Sequence, residues 1–229
     1  MRSYFEAMAR KPEFFGISRY CNICGYRFAK FSLFNNLSPR EAQCPICGSL
    51  ERHRHLFIHI ASIYPFLQGK SILHFAPEQI LKEIFLSSQA EYYDADIDPE
   101  KATYQIDITK ILFNDNKFDY VFCTHVLEHI VDDLQAMKEL YRVLKFGGTA
   151  YLCVPFRKDF AEDISITDPK GRERFFGQHD HVRYYNLDVF CDRLKSVGFN
   201  TEKISTPAMF PSGLKDARLG DTFVLARKL

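Results

Sequence analysis

Residues 71–97 read SILHFAPEQILKEIFLSSQAEYYDADI, and this stretch decides the fold. Ser71–Ala76 is a short apolar run of strand type. Glu78–Ser87 places Ile80, Leu81, Ile84 and Phe85 at helical spacing, and Glu91–Ile97 returns to a strand pattern. A strand, a helix and a second strand in so few residues imply parallel pairing with the helix as crossover. The alternation continues with Thr103–Ile108 as a weaker strand and Phe118–Cys123 (FDYVFC) as a buried one. Asp133–Leu144 reads as an amphipathic helix stopped by Gly147-Gly148, and Thr149–Val154 as the next strand. A stretch without clear period, Pro155–Tyr185, follows. Asn186 then caps a helix over Leu187–Val197, with Gly198 as its stop, and strands near Thr201–Ser205 and Thr222–Ala226 close the chain. The expectation is an α/β fold with a doubly wound, mostly parallel sheet. Asp98–Ala102 is too short for a crossover helix, so either that helix shrinks to a turn or the third strand is reduced.

The 229 residues suit one large domain and a small appendage, and 22 Phe with 12 Tyr supply ample core. Charged residues make up 26% of the chain and the net charge is +1, which excludes a long disordered chain and a uniformly polycationic nucleic-acid coat. No apolar run approaches the ~18 residues of a membrane span. The N-terminus has no continuous apolar core of the signal-peptide kind, so a soluble cytoplasmic protein is expected. Charge is uneven: residues 1–70 carry ten Lys/Arg against four Glu, a local +6, and the rest carries −5. The expected division is 1–70 and 71–229, the first basic by design or simply by a solvated face.

Cys21-Asn-Ile-Cys24-Gly25 and Cys44-Pro-Ile-Cys47-Gly48 are near-identical loops. Each offers two sulfurs on a tight turn, with a glycine free to turn left-handed behind the second. Facing each other, Cys21, Cys24, Cys44 and Cys47 make a closed tetrahedral cage that suits a structural Zn²⁺, with an iron–sulfur centre or redox pair as alternatives. Cys123, Cys153 and Cys191 sit singly in apolar segments as small hydrophobes.

Through CPICGSLERHRHL (44–56), ILHFAPE (72–78), HVLEH (125–129) and FGQHDHVRYYN (176–186), the chain resembles class I S-adenosylmethionine-dependent methyltransferases of type-11-like character. More narrowly it is similar to a bacterial subgroup with an N-terminal zinc ribbon. The resemblance covers about 71–229 and implies the seven-strand methyltransferase sheet, with S-adenosylmethionine beyond the strand ends. It implies that the turn His74-Phe75-Ala76-Pro77-Glu78 approaches the methionine part of the cofactor. The family's glycines are missing there: Ala76 stands for the first and Glu78 for the next, where it would meet the cofactor's amino group. It further implies that Asp96, followed by Ile97, binds the ribose hydroxyls, with Asp98 opening the next turn. Asp107 and Ile108 would meet the adenine, and Thr124 and His125 would touch the cofactor above a pocket floor of Glu128 and His129. Quinone-pathway O-methyltransferases hold a divalent metal in an E-V-x-E-H segment at this place. His125 replaces its first Glu, and the plainer reading gives the segment no metal.

The segment 157–185 falls after the fifth strand, where an acceptor approaches the cofactor's methyl group. His181 and His179 are the candidate general bases, with Asp180 to orient a ring, and His181 serves equally well to seat the following helix. Arg172, Arg174, Gln178, Arg183 and Tyr184 are the candidate acceptor-binding residues. The leading expectation is O-methylation of a small-molecule or glycan-type acceptor. RNA is the alternative acceptor, docked by the basic front end and His53-Arg54-His55, and a non-enzymatic binding module on a degenerate fold comes third. The oligomeric state is left open.

Overall fold

The computed structural model describes residues 12–34, 40–205 and 222–229. Two compact units emerge: the described residues up to Phe66 with Gln79–Ile84 and Ser205, and a larger one of Leu67–Glu78, Phe85–Ile204 and Thr222–Leu229.

In the first unit, β1 (Arg19–Tyr20) pairs antiparallel with β2 (Arg27–Phe28), and β3 (Ser32–Phe34) with β4 (Arg40–Gln43). Helix α1 (Glu51–Ile63) follows, ending in a 3-10 turn over Tyr64–Phe66. One cluster of its core packs Phe14, Phe28 and Phe31 around Cys21 and Cys44, and Ala42, Leu50, Leu56 and Ile60 are buried as well. Arg54 is fully buried beside it: its guanidinium stacks 4.3 Å from the Phe31 ring and donates to the Ser49 carbonyl at 2.6 Å and to that of Ala42 at 2.9 Å. The His53 ring accepts the Leu50 N–H at 3.1 Å and so closes the helix start. His53, Arg54 and His55 are thus all buried, and the expected RNA-docking trio is packing instead.

In the larger unit, β5 (Ser71–Phe75) leads to α2 (Gln79–Ser87), which straddles the two units, then to β6 (Glu91–Asp96) and β7 (Tyr104–Gln105). The chain continues through β8 (Phe118–Thr124), α3 (Asp133–Val143), β9 (Leu144–Cys153), β10 (Ala161–Glu162), α4 (Pro169–Phe176), β11 (Arg183–Tyr184) and α5 (Leu187–Ser196). It ends with β12 (Asn200–Ile204) and β13 (Phe223–Arg227). Seven strands form one sheet in the order β12-β13-β9-β8-β5-β6-β7. All pairs are parallel except those of β13, which runs against both neighbours. This is the Rossmann-like sheet expected of the methyltransferase type. The chain leaves central β5 toward β6 and β7, then returns to β8 on its other side. That reversal opens a crevice at the strands' carboxyl ends.

The third strand is reduced, as one of the two expectations had it, and two other local readings change. The third strand shrinks to two residues on the sheet edge, because the turn before it is tied down: Asp94 accepts the Thr103 N–H at 3.2 Å, and the Asp96 carbonyl accepts the Ile106 N–H at 2.9 Å. Gly147-Gly148 does not stop α3. That helix ends at Val143, and the glycines form an irregularity inside β9, where a Cβ on Gly148 would sit 2.8 Å from the Lys145 carbonyl oxygen. Helix α4 lies in the stretch that showed no period. Asp168 caps it by accepting the Gly171 N–H at 2.7 Å, Pro169 opens it and left-handed Gly177 ends it. Asn186 caps α5 as expected, accepting from Asp188 and Val189.

Candidate cofactor and acceptor site

Beyond the carboxyl ends of β5 to β8 lies a cavity of about 510 Å³. Ala76 follows β5, Asp96 and Ile97 end β6, Asp107 and Ile108 follow β7, and His125 follows β8; all line it. His129, Arg172 and Asp180 line it as well, from the loop after β8, from α4 and from the loop after α4.

The strand ends bend sharply to make this space. Ala76 has φ +47° and His125 φ +55°, both in the left-handed region that side chains ordinarily avoid at about 1–2 kcal/mol. The Ala76 N–H donates to the Ala95 carbonyl at 3.0 Å, and that of His125 to the Cys153 carbonyl at 2.8 Å. Neighbouring strands hold the strained turns in place, a pattern typical of ligand sites. The Ala76 turn therefore has a glycine-like backbone without the glycine.

Asp96, not Asp98, faces the cavity. One Asp96 oxygen accepts the Asp98 N–H at 2.9 Å, which orients the carboxylate and leaves its second oxygen for a ligand. Asp98 binds the Glu100 N–H at 3.0 Å, and that bond lowers its pKa. Asp107 accepts from the Thr109 N–H and hydroxyl at 2.8 and 2.7 Å. His74, Glu78 and Thr124 do not line the cavity; they brace its wall. The fully buried His74 has Nδ1 2.9 Å from the Tyr92 hydroxyl and Nε2 3.6 Å from Glu78, which accepts the Thr124 hydroxyl at 3.1 Å.

On the acceptor side the structure regroups the candidates. Arg172 reaches the cavity, its Nε donating to the Ile166 carbonyl at 2.9 Å. Arg174, Gln178 and His179 are exposed and do not line it, because α4 and its glycine end turn them outward. Arg183 is buried and clamps the loop after β8: it donates to the carbonyls of Leu127, Ile130 and Val131, and pairs with Glu162 at 2.5 Å. Tyr184 packs on Phe176 beneath the Arg157 guanidinium. The geometry thus gives Arg183 and Tyr184 to packing rather than to a substrate. His181 is 3% exposed, and burial lowers its pKa from the ordinary value. It meets the cavity through His129, whose ring stands edge-on to it with centroids 4.7 Å apart.

Residues 77–152 match the family model described as a methyltransferase domain. That match makes this part of the chain a methyltransferase domain, and its sheet has the fold of S-adenosylmethionine-dependent methyltransferases. Among solved structures the chain is similar to one from the complex between the Haloferax volcanii Trm112 methyltransferase activator and its methyltransferase. Identity is 16% and the TM-score 0.55, over 77% of this chain and 89% of that one. A Mesorhizobium loti S-adenosylmethionine-dependent methyltransferase is 13% identical at TM-score 0.56, over 76% and 98%. Haemonchus contortus phosphoethanolamine N-methyltransferase 2, in complex with S-adenosylmethionine, is 16% identical at TM-score 0.56 over 77% of this chain and 52% of its own length. The chain therefore spans about half of that last protein. No curated protein matches in sequence. Among the described residues, no helix is long and apolar enough to cross a membrane.

Outside the methyltransferase domain, the four front-end cysteines converge. Cys21 and Cys47 sulfurs lie 3.7 Å apart and those of Cys24 and Cys44 3.8 Å apart. Four thiolates at ~2.3 Å around one zinc would be about 3.8 Å from one another, so the donor set has the size of a tetrahedral zinc cage. Gly25 and Gly48 take φ +74° and +75°, and their N–H groups donate to the Cys21 and Cys44 carbonyls.

Proposed function

We propose that this methyltransferase moves a methyl group to an oxygen of a small-molecule or glycan-type acceptor bound in the cavity beyond β5 to β8. The observation that carries the reading is the polarity of that one space. Asp96 and Asp107 line it from the ends of β6 and β7, and His129, grouped with Glu128 and His181, lines it from the loop after β8. S-adenosylmethionine supplies, when bound, a methyl group on a positively charged sulfur, the electrophile of the reaction. Asp96 would hold its ribose hydroxyls, Asp107 and Ile108 its adenine, and Ala76 would let backbone approach its methionine part.

On the acceptor side, Arg172 positions the acceptor and the His129 cluster receives the proton of its hydroxyl. Burial lowers the pKa of His181, so it orients His129 rather than taking the proton itself. His181 acts through His129, and so as a positioning residue. A volume of about 510 Å³ falls within the range of small-molecule sites. We assign the four cysteines to one structural zinc ion, because their sulfurs are spaced as in a tetrahedral cage and the strands around them are only two to four residues long. A cytoplasmic location belongs to the same proposal.

The test is methyl incorporation from labelled S-adenosylmethionine into a cell extract divided into RNA, lipid, saccharide and small-molecule pools. Label in a small-molecule or saccharide pool supports the reading; label confined to RNA transfers the role to the basic front end.

A further inference from the structure

Glu128, His129 and His181 each offer a ligand atom, and these atoms lie within 4.8 Å of one another. Glu128 is 1% exposed, and among the described residues neither of its carboxylate oxygens has a hydrogen-bond partner. His125 Nδ1 comes within 3.3 Å of Oε1 without making a hydrogen bond. A carboxylate so deeply buried is ordinarily compensated by donors or a cation.

The two imidazoles are prepared in the same way. His181 Nδ1 lies 3.2 Å from the Phe176 carbonyl, and His129 Nδ1 lies 3.3 Å from Asp180 Oδ2. An Nδ1–H held by an oxygen fixes the tautomer and leaves Nε2 with a free lone pair, the arrangement behind metal-bound histidines. His129 Nε2 stands 4.0 Å from Glu128 Oε1. The backbone enforces the register: the Val182 N–H donates to the Glu128 carbonyl at 3.0 Å, and Arg183 clamps the residues on either side. Because His129 and Asp180 line the cavity, the cluster opens toward it on one side.

We propose that Glu128, His129 and His181 bind a divalent transition-metal ion at the acceptor end of the cavity, separate from the cysteine cage. Two imidazoles, one carboxylate and an open position form a donor set typical of catalytic sites rather than closed structural ones. The third ligand comes from the loop after α4, so the set differs from a pattern confined to residues 125–129. The inference rests on the reading of this cavity as the acceptor site, and in it a bound ion that lowers the pKa of a coordinated hydroxyl would take the place of His129 as direct proton acceptor.

The experiment is Co²⁺ titration of the metal-stripped full chain, followed by absorption and by elemental analysis. The expected result is two ions per chain: one with thiolate-to-cobalt charge-transfer bands, one with d–d bands alone. His129→Ala, at a partly exposed position, and Glu128→Gln should each lose the second ion and keep the first. Asp180→Asn should weaken the second by roughly 10–100-fold. A single ion at saturation, or a second ion retained by both ligand variants, overturns the proposal. Calorimetry with S-adenosylmethionine on the same samples separates the two ideas. Cofactor binding without a second ion leaves the methyltransferase reading standing, and a second ion without cofactor binding removes that reading while the metal site stands.

Discussion

Ala76 is the residue where sequence and backbone meet most sharply. The missing glycine is a departure from the family pattern, yet its φ of +47° is the conformation a glycine would adopt freely. Ala76→Gly should therefore raise stability, or at least leave it unchanged, by relieving up to about 1–2 kcal/mol of strain. Ala76→Val, β-branched in a left-handed position, should destabilise and weaken cofactor binding; melting temperature and calorimetry read both. Asp119 carries a pH signature. Partial burial raises its pKa, but Lys145 at 2.6 Å and the Ser71 N–H and hydroxyl outweigh that and hold it at about 2, against 3.8 ordinarily. A carboxyl lowered on folding stabilises above its unfolded pKa, and this contribution fades as pH falls from about 4 toward 2. In Asp119→Asn the melting temperature should depend less on pH in that window; an unchanged acid profile would remove Asp119 from the account.

Among the elements, what was legible had a strong local code. The period-two and period-3.6 runs placed β5, α2, β6, β8, α3 and α5, and Asn186 announced its cap. Helix α4 was missed although Asp168, Pro169 and Gly177 mark both its ends, since its exposed Lys170, Glu173 and Arg174 leave no apolar stripe. For the same reason the spread of polar residues over 172–184 read as a substrate surface. The fold decides otherwise, sending Arg183 inward to three carbonyls and Arg174 outward. His129 and Asp180 come together at the cavity only through the pairing of β10 with β11 and the Val182–Glu128 backbone bond, which have no short-range signature. Arg183→Met should cost about 3–5 kcal/mol by leaving buried carbonyls and Glu162 unpaired. Denaturant unfolding measures it, and a loss below 1 kcal/mol would mean that the loop after β8 holds itself.

At the scale of the whole molecule, the two units rely on different kinds of stabilisation. The larger has a continuous core from Leu73 and Phe75 through Val121 and Leu152 to Phe190, whereas the cysteine-bearing part of the first packs three phenylalanines around four sulfurs. Chelation should therefore unfold the first unit at a temperature where the sheet persists, seen as loss of hydrogen-exchange protection confined to residues 19–63. Uniform protection after complete removal of metal would contradict the zinc assignment. The central claim is that the cavity beyond β5 to β8 holds S-adenosylmethionine with Asp96 on its ribose. Isothermal titration calorimetry of the full chain with S-adenosylmethionine, beside Asp96→Ala, tests it most directly. The account predicts one site per chain, weakened in the variant by about 1–3 kcal/mol, the usual loss for charge-assisted hydrogen bonds. No binding to the wild type, or equal affinity in a folded Asp96→Ala chain, would contradict it.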